Sequence, residues 1–232
     1  MKAIRVSPRQ LWLSDPMLVA LLVVLLVLIF LMPLFPVDRA GRIAIDLFFS
    51  LLLLSGVVTL SRTRVGLWLG TAVAGSALVV RWIDRLVTNV HLSEWDAVLT
   101  LATELTLAAV LLAQIFRESG PVTIFRIAGA VVVYLLLGQV WVNLYWLLET
   151  LHPGTFHFVT TPSPSDLLGR LVYFSYETLT TAAYGDVTPL TPVARSAANL
   201  EGLTGQLFPA ILIGRLVGME IESRRDREGR KT

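Results

Sequence analysis

Long apolar runs, each close to the length that crosses a bilayer, dictate most of what this chain can become. "MLVALLVVLLVLIFLMPLF", from Met17 to Phe35, is the first. A spanning helix needs about 20 apolar residues, and in lipid it must bond its own N–H and C=O groups. Runs of this kind follow at about 44–60, 65–80, 97–116, 122–148 and 192–219. They are continuous rather than alternating, so they read as helices and not as barrel strands. At 55% hydrophobic and 16% charged residues, the chain has the balance of an integral membrane protein. The first run follows Lys2, Arg5 and Arg9, as a signal peptide would. It is too long for one, and no small-x-small cleavage site follows it.

Six spans place both ends of the chain on one side. On that side fall Lys2, Arg5, Arg9, Arg62, Arg64, Arg117, Arg126, Arg215 and the basic residues of the tail. The other side holds Arg39, Arg42, Arg81, Arg85, Arg170 and Arg195, about half as many, so both termini are expected to be cytoplasmic. Trp141, Tyr145 and Trp146 then lie toward the outer end of the fifth span, where an aromatic belt is expected. The third run carries Gly70, Ala72, Ala74, Gly75 and Ala77, small residues that suit close helix packing. Gly120-Pro121 breaks the chain between the fourth and fifth spans. The chain has no cysteine, which excludes disulfides and thiolate chemistry. A net charge of +2 and the lack of a basic patch interleaved with aromatics point away from nucleic acid.

The connection between the fifth and sixth spans is the unusual part. "SPSDLLGRLVYFSYETLTT" opens with Ser163, Ser165 and Asp166 as helix-cap candidates beside Pro164. The helix it announces, about Asp166 to Leu179, is too short to cross a bilayer and is expected to enter it and stop. Its C-terminal end would turn a negative partial charge toward a cation. The "TAAYGD" that follows is non-helical backbone at membrane depth, which is tolerated only inside protein or along a water-filled cavity.

Outer helix, short helix, a Thr-x-Gly-Tyr-Gly-Asp-like segment, inner helix: this order resembles the pore module of the potassium-channel superfamily. "YFSYETLTTAAYGDVTPLTPVAR" carries the likeness, in a frame similar to small bacterial six-span members. The resemblance implies that Thr181, Ala182, Ala183, Tyr184 and Gly185 supply the carbonyls, with the Thr181 hydroxyl, that replace the water shell of a monovalent cation. It also matches Glu177 and Asp186 to acids that support the filter, either as a pair sharing a proton or as separately bonded groups. The family has glycine where this chain has Ala183. Successive carbonyls face one axis only if alternate residues take φ > 0, which costs an L-residue roughly 1–2 kcal/mol. The filter is therefore expected to be strained at Ala183, or relaxed by a flipped peptide beside it.

The sixth span reads "PVARSAANLEGLTGQLFPAILIGRLVGM". Proline clashes with the carbonyl four residues back, so Pro209 and Gly205 mark a kink, either a gating hinge or a fixed bend. Gly205 aligns with the family's hinge glycine. Glu201 and Gln206 are candidates for the ion cavity or, for Glu201, for a bond to another helix. The fourth span has Asp96 and Glu104 as its charges and no arginine ladder, so it is not expected to sense voltage. Gln139 and Asn143 read as interhelical hydrogen bonders. His152 and His157, in the outer loop, read as solvated.

The expected fold is an all-α membrane protein with a re-entrant pore helix and filter. Residues 1–16 form a cytoplasmic segment, 17–118 a sensor-like bundle, 119–219 the pore domain and 220–232 a cytoplasmic tail. Within the pore domain the pore helix is 166–179, the filter 181–186 and the inner helix 192–219. The tail, "EIESRRDREGRKT", reads as a solvated helical extension with no room for a ligand-binding domain. One pore loop cannot close a filter, so three further copies are expected around one axis. The expected function is passive passage of potassium or mixed monovalent cations across the cell membrane, without enzymatic activity or a cofactor, potassium being the permeant ligand. The rivals are a nonconducting scaffold or sensor with a degenerate filter, and an ion-transporter subunit.

Overall fold

The computed structural model describes residues 16–30, 47, 50, 72, 74–80, 82–83, 93–117, 123–160, 162–163 and 166–229. Helix α1 is Pro16–Phe30, α2 is Ser93–Arg117 and α3 is Ile124–Leu151. Strand β1 is Phe156–Phe158, helix α4 is Leu167–Leu179, strand β2 is Val187–Pro189 and helix α5 is Pro192–Gly229. Helices dominate, as expected, but the two short strands are an addition to the all-α reading. They pair antiparallel, Phe156 with Pro189, His157 with Thr188 and Phe158 with Val187. Three residues each gave no alternating pattern long enough to read as strand.

By length and composition, the segments Trp95–Ala113, Arg126–Leu151 and Pro192–Arg225 are able to cross a membrane. They correspond to the expected fourth, fifth and sixth spans. The first span is described as far as Phe30. Nearly all of the second, and the Gly120-Pro121 break, lie outside the described residues. Residues 74–80 of the third are helical, with Ala74 and Ala77 buried against Leu78 and Leu99.

Two clusters hold the helices together. In the first, Leu21, Val24, Leu25 and Ile29 of α1 meet Leu107, Ala108 and Leu111 of α2 and Ala130, Val132, Val133 and Leu136 of α3. Spacings of three and four residues put each set on one helix face. In lipid such faces are held by close packing rather than by escape from water. A polar contact joins the same helices: fully buried Glu104 accepts from Asn143 Nδ2 at 2.7 Å.

The second cluster lies around the connection between α3 and α4. Tyr145, Phe156 and Phe174 pack edge to face, with ring centroids 5.2–5.4 Å apart. Leu171, Val187 and Ala194 complete it, and Trp141 and Trp146 pack against it. The expected belt residue Tyr145 is thus in the core, fully buried, while its two tryptophan neighbours remain partly exposed. Glu149 clasps the turn that follows α3. Its Oε1 accepts from Gly154 N at 2.8 Å and its Oε2 from Phe156 N at 3.0 Å. Gly154 sits at φ +87°, a conformation that glycine enters freely.

Helix α3 starts at Ile124 with Thr123 as its cap, the Thr123 hydroxyl accepting from Arg126 N at 3.3 Å. At the start of α4, Asp166 precedes the helix without a side-chain cap bond. Its carboxylate accepts instead from the Ser163 hydroxyl at 2.6 Å. Helix α5 runs through Pro209 and does not end at Met219, continuing to Gly229.

Candidate functional site: a segment of alternating hand at the end of a half-length helix

Helix α4 has 13 residues, about 20 Å of rise and short of the ~30 Å hydrocarbon core. One end of it is bound to both neighbouring helices. Tyr134 of α3 donates to Leu179 O at 3.2 Å. Gly205 of α5 lies so close to the same residue that a Cβ there would stand 1.9 Å from Leu179 O. One turn before Leu179, Tyr176 donates to Leu135 O at 2.7 Å, and Gln139 Nε2 reaches the Tyr176 hydroxyl at 3.4 Å. Gly138 leaves room for the Tyr176 ring, which a Cβ would meet at 2.5 Å.

The chain beyond Leu179 folds back over the end of this helix. Thr181 N donates to Thr178 O at 3.0 Å. Glu177 O accepts from Ala182 N at 2.8 Å and from Ala183 N at 3.3 Å. The Glu177 side chain takes the next N–H: its Oε2 accepts from Tyr184 N at 3.3 Å. One residue thus bonds three successive amides. Further on, Asp186 O accepts from Val159 N at 3.0 Å, tying the segment to the strand pair.

Within this segment the backbone alternates in handedness. Thr181 has φ +61°, Ala183 φ +47° and Gly185 φ +83°, while Ala182 and Tyr184 keep negative values. Ala183 is therefore left-handed, as the resemblance asks, and the peptide has not relaxed to spare it. The sequence reading missed the same demand on Thr181, a β-branched residue for which φ > 0 is rarer still. The signal was available, because Thr181 stands two residues before Ala183 and four before Gly185. Residues 181–185 are all exposed on the single chain. The Tyr184 ring, 75% exposed, stacks on Tyr173 with centroids 6.2 Å apart and planes 10° apart.

The supporting acids do not bond each other directly. Glu177 is buried and engages Tyr184 N, while Asp186 Oδ1 is buried without a hydrogen-bond partner among the described residues. Burial raises the Glu177 carboxyl above the ordinary glutamate range, and Asp186 adds to this. The Tyr184 N–H and the Tyr173 hydroxyl oppose the shift.

Of the two readings for Glu201, the bond to another helix is the one the contacts match: it is fully buried, with Oε2 2.5 Å from the Tyr145 hydroxyl and Oε1 2.6 Å from Ser175 Oγ. Gln206 is exposed on the single chain. Gly205 and Pro209 both lie inside continuous helix, and close approach to Leu179 is a second reason for glycine at 205. Asn143 and Gln139 both make the interhelical contacts read for them. His152 and His157 are exposed, and no group of metal-ligating side chains forms among the described residues.

A helix that stops partway, a backbone of alternating hand at its end and two helices packed around both describe a pore-lining unit. The family model described as "Ion channel" matches residues 122–221, from the start of α3 into the last turns of α5. "Protein LctB" of Bacillus caldotenax is 35% identical, the match covering 34% of this chain and 70% of that protein. "Protein LctB" of Geobacillus stearothermophilus is 40% identical over 26% of this chain and 50% of its own length. No solved structure matches. The chain belongs to the ion-channel family, and with its apolar helices it is a membrane protein.

Proposed function

We propose that the chain passes monovalent cations, potassium ahead of sodium, through a pore formed by four copies in the cell membrane with both termini cytoplasmic. The observation that carries this reading is the alternation of hand at Thr181, Ala183 and Gly185. A backbone that alternates in this way turns successive carbonyls to one side, where they take the place of an ion's water shell. The acids add to the reading, since Glu177 holds the backbone from behind with its carbonyl and its carboxyl.

The single chain supplies one wall of such a pore, and symmetry must supply the others. Leu200, Leu203, Leu207 and Ile211 of α5 are exposed at spacings of three and four residues. This apolar stripe runs down the helix that follows the filter segment, and further copies are what it fits. The test is flux through purified protein in liposomes, first with potassium and then with sodium as the driven ion. Potassium flux that exceeds sodium flux supports the reading. A protein that assembles but passes neither ion is the nonconducting scaffold that strain at residues 181 and 183 would favour.

A further inference from the structure

Ser175 lies at the junction of three helices and has one proton to give. Its Oγ is 3.0 Å from Gly138 O on α3 and 2.6 Å from Glu201 Oε1 on α5. Gly138 O is an acceptor only. If Ser175 donates there, its lone pairs face Glu201 and need a donor. The other Glu201 oxygen, Oε2, meets the Tyr145 hydroxyl at 2.5 Å, and that hydroxyl has its own proton to donate. Serine, glutamate and tyrosine are all fully buried. Among the described residues, the polar partners of Glu201 are these two hydroxyls, with no cationic side chain among them. An ionised carboxylate left there would bear the full penalty of leaving water unpaired.

One proton on Glu201 satisfies all of these contacts together. Tyr145 donates to Oε2, Glu201 Oε1–H donates to Ser175 Oγ, and Ser175 donates to Gly138 O. Each donor is used once and no acceptor is left facing another. We propose that Glu201 stands in the membrane as a neutral carboxylic acid, a positioning residue that donates to Ser175 and so pins the pore helix between the outer and inner helices. The proposal rests on the channel reading for its consequence, because Ser175 lies two residues before Glu177, which holds the filter amides.

The experiment uses the full chain reconstituted in liposomes and two substitutions, Glu201→Gln and Glu201→Leu. Glutamine keeps a donor and an acceptor at the same positions; leucine keeps neither. Infrared difference spectra of wild type against Glu201→Gln are expected to show the carbonyl stretch of a protonated carboxylic acid, lost in the variant. That band is expected to shift in Ser175→Ala, where its acceptor is gone. Glu201→Gln should retain the thermal stability and the potassium-over-sodium permeability ratio of the wild type, and Glu201→Leu should lower both. No difference band, or a glutamine variant as damaged as the leucine one, overturns the proposal. An unchanged permeability ratio in Glu201→Leu overturns the positioning role. If wild type and variants alike pass no ions, the channel reading fails, and the infrared and stability results still decide the protonation and the bracing of the helix.

Discussion

Ala183 holds φ +47° and Thr181 φ +61°, in a region where an L-side chain crowds the following carbonyl at a cost of about 1–2 kcal/mol. Local hydrogen bonds hold them there: the Ala183 amide bonds Glu177 O, and the amides on either side bond Glu177 as well. Strain that persists in this way has to be over-determined by its surroundings. Ala183→Gly should therefore relieve it. Part of the gain is offset, since glycine has more freedom to lose on folding, by about 0.4–1 kcal/mol. The expected net effect is a stabilisation of up to about 1.6 kcal/mol per chain, seen as a higher midpoint in thermal unfolding at fixed potassium. A drop in that midpoint would mean that the alanine methyl makes a favourable contact outweighing the backbone cost. Removing the brace should act the other way. Glu177→Ala deletes the acceptor for Tyr184 N, and the expected loss is about 1–3 kcal/mol of stability with weakened ion preference. An unchanged permeability ratio in Glu177→Ala would show that the main-chain bonds alone fix the segment.

Helix α4 ends where α3 and α5 both reach it, and the glycine at 205 decides how close α5 comes. An added methyl would stand 1.9 Å from Leu179 O and 2.7 Å from Leu179 C, and backbone cannot swing aside as a side chain does. Gly205→Ala should cost about 1–3 kcal/mol or more through overpacking. Gly214→Ala and Gly218→Ala, on the same helix with open space at the Cβ, should be tolerated. Similar melting curves for all three would remove the packing role and leave the hinge. Pro209→Ala restores an amide able to bond Gly205 O, and it should straighten α5 and change open probability in single-channel records. Much of this arrangement was legible before the structure. The half-length helix followed from "LLGRLVYFSYETL", and interhelical bonding by Gln139 and Asn143 followed from polar side chains one turn apart in an apolar run. The sequence could not show which partner each would find. For Glu201 the choice between a cavity and a bond to another helix stayed open, because one helix alone does not reveal that Tyr145 and Ser175 stand opposite it. The clasp by Glu149 and the strand pair depend on a turn whose ends meet only once α3 and the segment after the filter are in place.

At the scale of the whole molecule, the proposed pore requires more than one chain, since a single chain carries one segment of alternating hand among its described residues. Residues 181–185 and the apolar stripe of α5 are exposed together, and in the proposed assembly further copies would cover both. Native mass spectrometry in detergent should show four copies, and a monomer or dimer as the sole species would contradict the pore. Helix α2 bears on gating at this scale. Its charges within Trp95–Ala113 are Asp96 and Glu104, and Glu104 is buried against Asn143 rather than placed to move through the field. Each elementary charge crossing the membrane contributes about 2.3 kcal/mol per 100 mV, so a helix without mobile charges gives no steep voltage dependence. Conductance should follow voltage shallowly, and a curve requiring several gating charges would refute this. The most direct measurement is the reversal potential of the reconstituted protein with potassium on one side and sodium on the other. The alternating backbone of residues 181–185 predicts a potential displaced toward the potassium equilibrium value. A reversal potential at zero, with current flowing, would show that this segment does not select between the two ions.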